Sequence, residues 1–107
     1  MKCVLRLGIK ERLTASLFIP FYFFQLVLRD NDLLEIPKEI GELARLRELH
    51  LQCNYLQVLP PELGNLDLTS SKSVLKLDYN PWITPIMDQF TIGVTHVMDY
   101  IRTDAYR

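Results

Sequence analysis

From Gln25 onward, short alternations of apolar and polar residues recur along the chain. Leu26 and Leu28 alternate with Gln25, Val27 and Arg29. Leu49 and Leu51 alternate with Glu48, His50 and Gln52, and Leu75 and Leu77 with Val74, Lys76 and Asp78. A period of two sends successive side chains to opposite faces, so each stretch predicts a short, half-buried β-strand. An asparagine follows each alternation: Asn31, Asn54 and Asn80. Near the C-terminus the period changes. Phe90, Val94, Val97, Met98 and Ile101 recur at spacings of three and four, with Asp88, Gln89, Thr95, Asp99 and Arg102 largely between them. That is one apolar face of a helix. Thr84-Pro85 supplies its expected N-cap and first helical residue.

The first two alternations belong to a repeat. Sliding residues 23–45 onto 46–68 gives eight identities: Leu26/Leu49, Leu28/Leu51, Asn31/Asn54, Leu33/Leu56, Pro37/Pro60, Glu39/Glu62, Gly41/Gly64 and Leu43/Leu66. Each has a physical reason. The leucines of the strand point inward. The asparagine stands where the chain leaves the strand, and its side chain can bond turn groups that lack backbone partners. Leu56 and Leu59 return to the core, Pro60 delays any long helix, and Leu63 and Leu66 close the turn. The pattern is that of a leucine-rich repeat, L-x-x-L-x-L-x-x-N-x-L. A degenerate third copy follows at an offset of 26, its extra residues falling in the polar stretch 69–73. The pattern ends at Pro81-Trp82, where Trp82 replaces a core leucine and reads as a bulky plug. The expected fold is therefore an α/β leucine-rich-repeat solenoid fragment, with short parallel strands on its concave face and a C-terminal capping helix. Residues 26–83 form the repeats and 84–107 the cap, whose apolar face covers the end of the core.

Residues 1–25 lie outside this pattern. They begin basic and become strongly apolar over 17–24. A signal peptide has this profile, but no small-x-small cleavage site follows, and the apolar run passes directly into Leu26 and Leu28. A membrane span is a poorer fit, because the uncharged stretch contains Pro20 and is short. Phe-Tyr-Phe-Phe-Gln is also what a pyrimidine-rich tract ending in CAG encodes, so an intron-derived segment is the preferred reading. Without an N-terminal cap, the sheet is expected to leave an edge exposed over residues 26–29, and a fragment with so few repeats to be marginally stable unless residues 1–25 cover it.

Composition narrows the function. Of 107 residues, 49% are hydrophobic and 23% charged, which is ordinary for a folded domain. A net charge of −1 lacks the basic excess of a nucleic-acid binder. Two cysteines, Cys3 and Cys53, make no disulfide framework and favour a reducing compartment. The candidate binding positions are the strand residues between the leucines. They are Val27, Arg29, Glu48, His50, Gln52, Lys76 and Asp78, with Gln25 and Val74 beside them, and together they form a mixed-charge patch suited to a protein. Each of them is individually also explained as a solvated strand position. Asn31, Asn54 and Asn80 are assigned to structure. His50 and Cys53 have HxxC spacing, but no second pair completes a zinc site, so no metal is expected and Cys53 reads as a half-buried turn residue. His96 reads as an exposed helix residue. Trp82 could serve as a binding hot spot, but its position favours the core. Asp88 and Asp99 are too far apart for a carboxylate pair. No nucleophile triad or phosphate-binding loop occurs, so neither catalysis nor a cofactor is expected.

The stretches LVLRDNDLLEIPKEIGEL, LPPELGNLDL and NPWITPIMDQF with IGV, HV and YIR resemble the C-terminal part of the Ras suppressor family, over about residues 26–107. The resemblance implies a cytoplasmic leucine-rich-repeat protein of cell–matrix adhesions. It implies binding to the last LIM domain of the adaptor PINCH, membership of the integrin-linked kinase, PINCH and parvin assembly, and restraint of Ras-driven signalling. Family members are longer, with earlier repeats and a basic tail. Two other readings stay open at this level: a truncated product too poorly folded to bind, and a secreted or anchored leucine-rich-repeat protein.

Overall fold

The structure is a computed structural model, and it describes residues 4–6 and 24–106. Among these residues, four three-residue strands form one parallel sheet in the order β1-β2-β3-β4: β1 (Val4–Arg6), β2 (Gln25–Val27), β3 (Glu48–His50) and β4 (Val74–Lys76). The register places Leu5, Leu26, Leu49 and Leu75 in one row. Of these, Leu26 and Leu49 are fully buried and Leu75 is nearly so. Pairing continues past the strands. Leu28 N–H donates to His50 O at 2.8 Å and Asp30 N–H to Gln52 O at 3.0 Å, and Leu51 and Cys53 repeat this one coil later. Each strand is thus the short ordered edge of a full coil stacked on the next.

The return path explains the remaining apolar positions. Pro37 and Pro60 hold extended backbone before single turns of 3-10 helix, Lys38–Glu42 and Pro61–Asn65. Ile40 and Leu63, at the middle of these turns, are fully buried. Glycine recurs next to them because neighbours come too close for a Cβ. One added at Gly41 would lie 2.5 Å from Glu62 O, and one at Gly64 would lie 2.7 Å from Arg102 Cγ. The 69–73 stretch forms a polar turn, closed by Ser73 N–H to Ser70 O at 3.0 Å and by Ser73 Oγ to Asp67 O at 3.0 Å.

Three expectations change. The sheet does not leave β2 as an edge, because β1 pairs with it throughout residues 25–27. The sheet therefore reaches into the segment that read as foreign to the repeats, and Leu5-Arg6-Leu7 does carry the L-x-L spacing of a strand. The signal-peptide, membrane-span and intron readings fall mainly on residues 7–23 and lie outside the described residues. The C-terminal cap is two helices rather than one, α1 (Thr84–Ile92) and α2 (Val94–Ile101). The extended backbone of Gly93 separates them, and glycine is the residue that most weakens a helix without proline's steric clash. Finally, Ile83 rather than Thr84 occupies the N-cap position, and no side-chain hydrogen bond caps α1.

The cap closes the core as its pattern suggests. Ile86, Val97, Met98 and Ile101 are buried, with Phe90 and Val94 packed partly against them. Trp82 is 6% exposed, and its indole N–H donates to Leu77 O at 2.8 Å. Arg102 reaches back to the second 3-10 turn, donating from Nε to Gly64 O at 2.8 Å and from Nη2 to Leu66 O at 3.3 Å. Among the described residues, no helix is long and apolar enough to cross a membrane.

Candidate protein-binding face

The parallel register sets the non-leucine strand residues in two outward rows. Gln25, Glu48 and Val74 form one, and Val27, His50 and Lys76 the other. The centre of the face is polar and partly self-paired. Gln25 Nε2 donates to Glu48 Oε1 at 2.8 Å, and His50 Nε2 lies 3.7 Å from the same oxygen. His50 Nε2 and Gln52 Oε1 are both buried without a hydrogen-bond partner among the described residues. A buried polar atom left unpaired costs about 1–3 kcal/mol. The margins are open: Arg29, Lys76 and Asp78 are exposed, and Arg29 Nε lies 3.9 Å from Asp30 Oδ2.

Val27 departs from its expected role. It is 7% exposed, so it offers a partner little surface. It sits in an interior strand, in register with Arg6 on one side and His50 on the other, and the open edge expected beside it does not exist. The face that remains is Glu48, His50 and Gln52 at the centre, with Arg29, Lys76 and Asp78 around it.

Beside this face the asparagines stitch coil to coil. Asn54 Oδ1 accepts from Asn31 N–H at 3.1 Å and Leu33 N–H at 3.2 Å, while its Nδ2 donates to Leu28 O at 3.1 Å and Leu51 O at 3.0 Å. Asn80 does the same one coil on, accepting from Leu56 N–H at 3.1 Å and donating to Leu51 O at 2.9 Å. Asn31 Nδ2 donates to Leu28 O at 2.8 Å. The residue before each asparagine takes a left-handed conformation: Asp30 (φ 60°), Cys53 (φ 62°) and Tyr79 (φ 60°). A non-glycine residue rarely adopts this φ, and its recurrence shows that the turn geometry outweighs the local strain. Sequence reading missed this, because none of the three is a glycine.

Cys53 is half-buried, and its thiol is pushed up from its ordinary value by desolvation, then by the neighbouring Asp30 and the Asp78 charge. A raised thiol is mostly unionised near neutrality and correspondingly unreactive. Among the described residues, no group of three or more His, Cys, Asp and Glu is placed to hold a metal ion. His96 is exposed on α2.

Comparison with known proteins fits this geometry. The leucine-rich-repeat family model matches residues 45–66, the second regular coil. Ras suppressor protein 1 of Mus musculus and of Homo sapiens is 65% identical over 42 residues, and that of Bos taurus 63%. The match covers 39% of this chain and 15% of those relatives, a shorter span than residues 26–107, over which the resemblance was expected. The chain is thus a leucine-rich-repeat solenoid segment with a helical C-terminal cap, similar over its matched part to Ras suppressor protein 1.

Proposed function

We propose that this chain is a protein-interaction module that binds through the concave face of its sheet. The observation carrying this reading is the mixed-charge face that the parallel register builds, with Glu48, His50 and Gln52 half-buried at its centre and Arg29, Lys76 and Asp78 exposed around them. Solenoids expose an extended concave sheet that neighbouring repeats cannot cover, and it is their habitual binding surface. By similarity to Ras suppressor protein 1, the partner is a LIM domain of a PINCH-type adaptor. The setting is then a cytoplasmic signalling scaffold at cell–matrix adhesions that restrains Ras-driven signalling. Both are carried over from the family resemblance, and the 42-residue match supports the relationship to Ras suppressor protein 1.

The experiment is a quantitative pulldown or calorimetric titration of the 107-residue chain with the PINCH LIM domain. Glu48→Lys combined with His50→Glu reverses the charge at position 48 and adds a carboxylate at position 50, at the centre of the face. It is expected to weaken binding about a hundredfold, the loss of one to two desolvated polar contacts. A folded wild-type chain that ignores the LIM domain refutes the named partner. Binding that survives the double substitution refutes the concave site.

A further inference from the structure

A second surface differs in chemistry from the concave sheet. We propose that the flank formed by the asparagine turns docks a basic segment of a partner protein, anchored by one apolar side chain.

The flank comprises residues 30–35, 53–58 and 78–83, the stretches that leave the three strands. Backbone bonds hold them side by side: Tyr55 N–H donates to Leu33 O at 2.9 Å, and Ile83 N–H to Gln57 O at 3.0 Å. Two features coincide here. The first is exposed apolar surface. Leu34 is 74% exposed, Tyr79 82%, Tyr55 57% and Val58 45%. Scattered apolar residues are normal on any surface, but these sit on adjoining coils. The second is one-sided charge. These three stretches contain Asp30, Asp32, Glu35 and Asp78 and no Lys, Arg or His, in a chain whose 13 acidic and 12 basic residues nearly balance. Asp32 and Glu35 are both exposed, and the ion pair described for Asp30 involves Arg29, just outside the stretch.

At the C-terminal end of the flank, apolar surface and negative charge meet in a cavity of about 440 Å³. Its walls include Ile36, Val58, Ile83, Tyr100 and Tyr106, with Glu35 at its margin. Two of the walls are fixed. Tyr106 bonds Leu59 through its hydroxyl, which accepts from Leu59 N–H at 2.9 Å and donates to Leu59 O, and its ring meets that of Tyr100 edge-on with centroids 5.3 Å apart. An apolar recess with the Glu35 carboxylate on its wall and Asp32 on the same flank suits a Leu- or Phe-sized side chain flanked by Lys or Arg. A phosphate backbone or an acidic peptide meets like charge. This inference does not depend on the concave site.

The test uses a fluorescein-labelled peptide, Lys-Arg-x-Leu-x-Lys-Arg, and the 107-residue chain, followed by fluorescence anisotropy at two salt concentrations. Binding is expected to weaken as salt rises. It should fall about tenfold in Asp32→Lys/Glu35→Lys, since opposed charges at an interface set attraction and steering. It should fall similarly in Val58→Asp, which puts charge in the recess. Asp32, Glu35 and Val58 are exposed, and unchanged thermal unfolding of every variant would verify that the fold is kept. Glu48→Lys/His50→Glu should leave the peptide's affinity unaltered. Amide shifts in the labelled chain should cluster at residues 32–35, 55–58 and 83. No binding, equal binding by a peptide with Glu in place of Lys and Arg, or loss of binding in the concave double variant would each overturn the proposal.

Discussion

Residues 23–45 and 46–68 are close copies in sequence, yet their surroundings are not equivalent. Asn54 is 5% exposed and accepts two N–H bonds from the coil before it, while Asn31 is only half-buried. Gly41 faces the backbone of the next 3-10 turn, whereas its counterpart Gly64 faces the flexible Arg102 side chain. Leu59, in the second copy, is held by Tyr106 from the cap. The same residue therefore joins coil to coil in one copy and coil to cap in the other. A repeat specifies what a position must look like, and its neighbours decide how much depends on it.

Paired substitutions test that difference. The largest contrast is expected at the asparagines. Asn54→Ala strands Asn31 N–H and Leu33 N–H together in a buried turn and is expected to cost about 3 kcal/mol, whereas Asn31→Ala, in a half-buried turn, should cost about 1 kcal/mol. Urea unfolding of both variants measures this, and equal costs would show that position within the solenoid does not matter. The glycines come next. Gly41→Ala forces a Cβ against backbone and is expected to cost about 2 kcal/mol, in the range for overpacking. Gly64→Ala displaces a flexible side chain and should cost less, about 1 kcal/mol, through weakened Arg102 bonds to Gly64 and Leu66. A larger loss at Gly64 would contradict the assignment of their neighbours.

The smallest effect concerns the attachment of the cap. Tyr106→Phe removes the hydroxyl from Leu59 and is expected to cost about 1 kcal/mol. Burial, the largest influence, pushes the Tyr106 phenol up from its ordinary value, with Tyr100 adding to the rise. The folded hydroxyl therefore keeps its proton at a pH where the unfolded one loses it. Its contribution to stability is complete below about pH 10, the unfolded value, and is lost as pH rises from there through the folded value. Thermal melts between pH 8 and 11 should show an alkaline decline that is shallower in the phenylalanine variant. An identical decline would show that Tyr106 does not titrate with unfolding.

Much of this molecule is legible in a single pass along the chain. Leu26, Leu28, Leu49, Leu51, Leu75 and Leu77 announce strands because burial on one face demands period two, and all six are buried. Asn54 and Asn80 announce turns because a side-chain amide can serve three backbone groups at once. The candidate face was only partly legible. Glu48, His50 and Lys76 fall where alternation puts them, but Val27 obeys the same alternation and is buried. The strand Val4–Arg6 was missed since three residues carry too little pattern to stand out, and only pairing with β2 makes them a strand. The break at Gly93 is explained by glycine's poor helix propensity, and the register of the two helices by nothing local.

The order of residues thus dictates the repeat, the inward leucines, the turn asparagines and the apolar stripe of the cap, because each follows from local periodicity and the need to pair backbone groups. Tertiary structure decided the rest: which of two matching asparagines is the more deeply buried, that Val27 is covered, that three ordinary residues take left-handed turns, and that Glu35, Val58 and Ile83 converge at one recess. Those outcomes depend on distances between coils, and such distances exist only once the coils are stacked.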